Sequence, residues 1–177
     1  MYQHILLAVA LQQWDESSPH AVAAREAAVA LANGSGAQLS ILSVYDYDYA
    51  QPDALSLPSE ELSRYRDTQM QRIDEQMDTK MKAFLAGAPT HNTSITPLLK
   101  VGHPREVIVA TAEALGVDLV VIGAHSKRSF LDVLLGGTAT AVSRHAPCAV
   151  VMVQPGEKRP LVQTSEVGQT HQPPLPG

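Results

Sequence analysis

Along the first 154 residues, short continuous apolar runs alternate with longer stretches of mixed polarity. Ile5-Leu6-Leu7-Ala8-Val9-Ala10-Leu11 has strand length and no polar position, as suits a strand buried on both faces of a parallel sheet. Ser17-Ser18-Pro19 reads as a helix start, with Ser18 as N-cap and Pro19 at the first helical position. An alanine-rich helix then covers 21–32 and stops at Asn33-Gly34. Residues 37–44 form a second apolar strand. Ser59-Glu60-Glu61 opens a long helix. In it Met70, Ile73, Met77, Met81 and Phe84 recur three or four apart, an apolar stripe read as core packing. Gly87-Ala88-Pro89 ends that helix.

Residues 95–101 give a third strand, and Pro104 starts a third helix that His103 caps and Gly116 ends. Residues 119–123 are a fourth strand. The stretch 124–135 reads as a loop with room for a short helical turn. Gly136-Gly137-Thr138 opens a fourth helix, stopped by Pro147, and 148–153 is a fifth strand. After Gln154 come Pro155, Pro160, Pro173, Pro174 and Pro176 with few apolar residues, so a domain over 1–154 and a disordered tail over 155–177 are expected.

Alternation of strand and helix predicts an α/β fold with an open five-stranded parallel sheet and helices on both faces. Right-handed crossovers make the expected strand order 3-2-1-4-5. Ligands of such sheets sit beyond the carboxyl ends of the strands, where the order reverses. The site is therefore expected between the loop after Ala10 and the loop from Gly123 to Gly137.

Composition narrows the choice. Thirteen Lys and Arg against 18 Asp and Glu give a net charge of −5, a poor basis for general nucleic-acid or anionic-membrane binding. The single cysteine, Cys148, excludes an intrachain disulfide and a Cys-rich zinc site; after Pro147 it reads as a small buried hydrophobe. The apolar run at 5–11 falls far short of the ~20 residues of a membrane helix, and no Lys or Arg precedes it, so a cytoplasmic location is expected.

Candidate chemistry gathers near the reversal. A helix N-terminus carries free N–H groups and roughly +0.5 elementary charge. Gly136 and Gly137 let the backbone approach a phosphate, Thr138 offers a hydroxyl, and Lys127 and Arg128 lie in the same loop. A plain helix cap, with glycine for geometry and Thr138 for the N-cap bond, accounts for the same residues. His125 reads either as a phosphate donor or as a solvent-facing loop residue. His4, His20, His91, His145 and His171 lack metal-ligand spacing. The run 45–49, Tyr-Asp-Tyr-Asp-Tyr, reads as a surface loop, with stacking on a base as the alternative.

Three stretches carry a resemblance: Val117-Asp118-Leu119-Val120-Val121-Ile122-Gly123-Ala124-His125-Ser126, Leu134-Leu135-Gly136-Gly137-Thr138-Ala139 and Arg144-His145-Ala146-Pro147-Cys148-Ala149-Val150. With 5–9, 37–44 and Val101-Gly102-His103-Pro104, they resemble the universal stress protein family over most of 1–154. The resemblance implies a Rossmann-like fold of the adenine nucleotide alpha hydrolase type. It also implies ATP, with AMP or no nucleotide as alternatives, bound through Gly-x2-Gly-x9-Gly-Ser/Thr. The spacing is intact, but Ser126 stands for the second Gly and Gly137 for the Ser or Thr. The first strand of the family usually ends in an Asp that holds ribose or adenine; Ala10 stands there, and Asp15 is the nearest acid.

The implied nucleotide site comprises Val9, Ala10, Val44, Ile122, Gly123, His125, Ser126, Gly136, Gly137 and Thr138, with Val44 meeting the adenine through its backbone. A non-glycine residue at positive φ costs ~1–2 kcal/mol and each lost ligand hydrogen bond about 0.5–1.5 kcal/mol. Together that is roughly 2–4 kcal/mol, on the order of 30- to 1000-fold in affinity.

Neither Gly-x-Ser-x-Gly nor a Gly-Lys-Ser/Thr phosphate loop is present, and 10–14 lacks the His-x-Gly-His element of nucleotidyl transferases of related fold, so the chain is expected not to be an enzyme. No residue marks the slow ATP hydrolysis of some relatives. The uncharged run Ala149-Val150-Val151-Met152-Val153 falls at a sheet edge, where pairing with a second copy covers it; family members usually dimerise this way. The tail folding back over the edge is the other way to cover it. The function expected is nucleotide binding in stress response or signalling, and the alternative is a nucleotide-free dimeric interaction protein.

Overall fold

The computed structural model describes residues 1–11, 17–45, 59–88, 93–124, 126–129, 132–135 and 137–156. The elements are β1 (His4–Val9), α1 (Pro19–Ser35), β2 (Gln38–Tyr45), α2 (Ser59–Ala86), β3 (Ile95–Val101), α3 (Pro104–Leu115), β4 (Leu119–Gly123), β5 (Ser126–Ser129), β6 (Asp132–Leu135), α4 (Gly137–His145) and β7 (Ala149–Val153). Five parallel strands form one sheet in the order β3-β2-β1-β4-β7, the order expected from the sequence. β1 pairs with β2 from His4↔Gln38 to Val9↔Ser43 and with β4 from Ile5↔Leu119 to Ala8↔Ile122. The reversal therefore lies between β1 and β4.

Alternate residues of the central strands feed two cores, because successive side chains leave opposite faces. Ile5, Leu7, Val9, Leu119 and Val121 pack with Ala24, Ala28 and Ala32 of α1 and with Met77, Met81 and Phe84 of α2. Leu6, Ala8, Val120 and Ile122 pack with Ile108 and Ala112 of α3 and with Ala139 and Val142 of α4. Met70 and Ile73 join the first core half-buried, so the methionine stripe is core, as its spacing suggests.

α1 begins as its sequence indicates. Ser18 Oγ accepts a hydrogen bond from Ala21 N at 3.2 Å, with Pro19 in the first turn. It ends later than Asn33-Gly34. The helix runs to Ser35, and Gly36 takes the left-handed conformation (φ 70°) that lets Ala37 N donate to Ala32 O at 3.1 Å. An asparagine-glycine pair can end a helix, but here the next glycine makes the better cap.

Arg25 of α1 is nearly buried. Its Nη1 donates to Phe84 O at 2.6 Å, and its Cζ stands 5.0 Å from the Phe84 ring centroid. α2 has no basic residue in its last turn, so the neighbouring helix supplies the cation at its negative end.

The 124–135 stretch is not a loop with a helical turn. β5 and β6 pair antiparallel as a hairpin, from Ser126↔Leu135 to Ser129↔Asp132. Four residues in each arm are too few for a period to show in the sequence. Residues 157–177, where a disordered tail is expected, lie outside the described residues.

Candidate functional site

β1, β2 and β4 end together. Val9 lies opposite Ser43, and one step along that register brings Ala10 level with Val44. Ile122 is the partner of Ala8, and Gly123 closes β4 beside Val153 of β7. Five of the expected site residues (Val9, Ala10, Val44, Ile122, Gly123) thus share one rim of the sheet. Val9 faces the α1/α2 core, whereas Val44 and Ile122 face the α3/α4 core. That leaves the backbone of Val44 as the part able to meet a ligand at the rim. Ala10 is exposed and brings no carboxylate.

Gly123 is glycine for packing. An added Cβ would lie 2.9 Å from the carbonyl oxygen and 3.2 Å from the carbonyl carbon of His20, in the first turn of α1. Backbone atoms cannot swing aside, so any side chain here would push α1 off the sheet.

Ser126 begins β5 in extended conformation, and no described non-glycine residue has positive φ. The backbone strain expected from serine at a glycine position of the motif is therefore not incurred. His125 and Gly136, both expected site residues, lie outside the described residues.

α4 starts at Gly137, which places Thr138 inside the first turn rather than at the cap. No acidic residue stands in that turn. Gly137 does not have positive φ. An added Cβ on it would meet Arg105 of α3, at 2.6 Å from Nη2 and 3.4 Å from Cζ. Sequence reasoning missed Arg105. Its one signal is a basic residue directly after Pro104, in the first turn of a helix, where an acid is the electrostatically favoured choice.

His103 occupies the N-cap position of α3, but its side chain makes no capping bond; its carbonyl accepts from Glu106 N and Val107 N, both at 3.0 Å. Tyr45 departs from the surface-loop expectation. It is the last residue of β2, buried, and its hydroxyl donates to Asp74 of α2. Burial and then the bond to Asp74 push its phenol up to about 12. Residues 46–49 lie outside the described residues. Cys148 is half-buried against the α3/α4 core, and burial raises its thiol above the usual range, which fits an unreactive packing residue. Among the described residues, no three His, Cys, Asp or Glu side chains group to hold a metal ion, and no helix is long and apolar enough to cross a membrane.

The universal stress protein family model matches residues 1–154. The chain belongs to the universal stress protein family. A putative universal stress protein of Staphylococcus haemolyticus is 28% identical over 171 residues, covering 93% of this chain and 94% of the relative. Among solved structures, the universal stress protein UspA from Lactobacillus plantarum is 28% identical with a TM-score of 0.60, covering 86% of this chain and 97% of that one. A universal stress protein solved in complex with cAMP is 24% identical with a TM-score of 0.52, covering 88% and 98%; at that identity the likeness is one of fold.

The start of α4 and the guanidinium of Arg105 adjoin Gly137. At the end of β1, Ala10 offers no side-chain acceptor.

Proposed function

We propose that this universal stress protein binds an adenine nucleotide, ATP or AMP, at the rim formed by β1, β2, β4 and the start of α4. It does so as a homodimer paired through β7 and serves in stress response or signalling. The reading is one of binding, and it assigns no chemical step. What carries it is the strand reversal between β1 and β4, with Gly123 at the end of β4 and the N–H groups of α4 following in the chain. The missing carboxylate at position 10 weakens the site by about one hydrogen bond, ~0.5–1.5 kcal/mol.

Denaturing the purified protein and assaying the supernatant for adenine nucleotides tests this directly, followed by calorimetric titration with ATP, AMP and cAMP. Bound nucleotide, or heat from ATP below millimolar concentration, is expected. Gly136→Val is expected to abolish that heat without loss of the folded signal by circular dichroism. Binding that survives the change would remove this loop from the site.

A second reading, a dimeric interaction protein without nucleotide, is favoured by the exposed apolar residues Val151 and Met152 on β7. Absence of both co-purified nucleotide and titration heat would select it.

A further inference from the structure

We propose that residues 59–73 of α2 form an arm that opens independently of the core, and that the Tyr45–Asp74 bond couples this arm to the nucleotide rim. The coupling rests on the nucleotide reading above and adds a moving part to it. β2 and β3 are parallel neighbours, so α2, which joins them, runs back from the carboxyl ends of the strands. β2 has 8 residues, about 26 Å, and α2 has 28, about 42 Å, so the helix is longer than the sheet is tall. Its second half is the part that fills the core: Met77, Met81 and Phe84 are buried, whereas no described residue of 60–76 is. Tyr45, at the carboxyl end of β2, donates its hydroxyl to Asp74. The segment before Asp74, roughly 22 Å of helix, therefore continues past the strand ends.

Met70 and Ile73 touch the core half-buried at the base of this arm. The other side-chain bonds of the segment stay inside the helix, from Thr68 Oγ1 to Arg64 O at 2.9 Å and from Gln71 Nε2 to Glu75 Oε1 at 3.3 Å. Among the described residues, Tyr45 is thus the one hydrogen-bonded tie between the base of the arm and the sheet. A helix of about 15 residues with little tertiary packing is marginal in water, so the arm opens before the core does. Tyr45 directly follows Val44, whose backbone is the part able to meet a ligand. A nucleotide held there fixes the end of β2, and the phenol passes that order to Asp74. With its phenol pushed up to about 12, Tyr45 remains a donor at neutral pH.

Hydrogen exchange read by mass spectrometry, with and without ATP, tests this on the wild type, Tyr45→Phe and Asp74→Ala. Both substitutions spare the packing, since Phe keeps the buried ring and Asp74 is exposed. In the free wild type, 59–73 is expected to exchange on the order of 100-fold faster than 77–86, at a rate that urea below the global transition scarcely changes. ATP should slow exchange of the arm by about 10-fold. Either substitution should remove that slowing at saturating ATP, with occupancy checked by calorimetry, and leave 77–86 as in the wild type.

Arm and core exchanging together would overturn the independent arm. ATP that binds without slowing the arm, or slowing that persists in both variants, would overturn the coupling and leave the nucleotide reading standing. No ATP binding by a wild type whose arm exchanges fast would end the nucleotide reading and the coupling, and would uphold the arm.

Discussion

The two edges of the sheet meet the same hazard differently. β3 carries Pro97 in mid-strand, opposite Ile41, and Lys100, whose Nζ donates to Thr111 Oγ1 at 3.0 Å. A residue without an N–H and a charged side chain both discourage a further strand, and α2 packs against this side. β7 has no charge and no proline. Val151 and Met152, which point to opposite faces of the strand, are 37% and 38% exposed. Its inner side is fully engaged, from Ala149 against Leu119 to Val153 against Gly123, and Ala124 N donates to Val153 O at 2.8 Å. One edge is closed by its own sequence. Among the described residues the other is left open, and the rim of strand ends reaches it at Gly123.

The largest test of this contrast is a charge on each edge. Val151→Asp is expected to convert dimer to monomer in sedimentation. Burying an unpaired carboxylate in a strand pairing costs several kcal/mol, a factor on the order of 100 or more in association. Thr96→Asp, on exposed β3, should leave the sedimentation coefficient unchanged. An unchanged dimer in the first variant, or dissociation in the second, would reverse the assignment of the open edge.

A smaller effect comes from Arg25. It ties α1, which reaches β7, to the end of α2, which packs against β3. Arg25→Ala should destabilise the protein by about 2–3 kcal/mol in urea, through loss of a charge-assisted bond and an unsatisfied Phe84 carbonyl. Dimer formation per folded molecule should be unaffected.

The smallest concerns the sheet centre, common to both edges. Asp118 accepts from Gln3 N at 2.7 Å and His4 N at 2.9 Å, and these bonds hold its carboxyl below the ordinary 3.8. A lowered folded value means that the unfolded chain takes up the proton first. The contribution is complete above the ordinary value and is lost as pH falls from about 4 toward the depressed value. Asp118→Asn should lower the urea midpoint at neutral pH and flatten its acid limb. An identical acid limb in both proteins would remove Asp118 from this role.

Most of the architecture was legible because its signals are local. The apolar run at 5–9, Ser18-Pro19, Pro104 with Gly116, and the uncharged 149–153 each specify an element within a few residues, and right-handed crossovers then leave few strand orders. The site was legible only in outline. The rim residues Val9, Ala10, Val44, Ile122 and Gly123 follow from strand order. The packing of Arg105 against Gly137, 32 residues further along the chain, does not.

What the sequence by itself determined is the alternation of elements, the reversal between β1 and β4, and the absence of a carboxylate at position 10. The tertiary structure decided what fills the space around those residues: His20 against Gly123, Arg105 against Gly137, Arg25 under Phe84, Tyr45 on Asp74. Local patterns record hydrogen-bonding period and capping. The packing of one helix end on another element depends on how both lie on the finished sheet, and no short stretch of the chain carries that information.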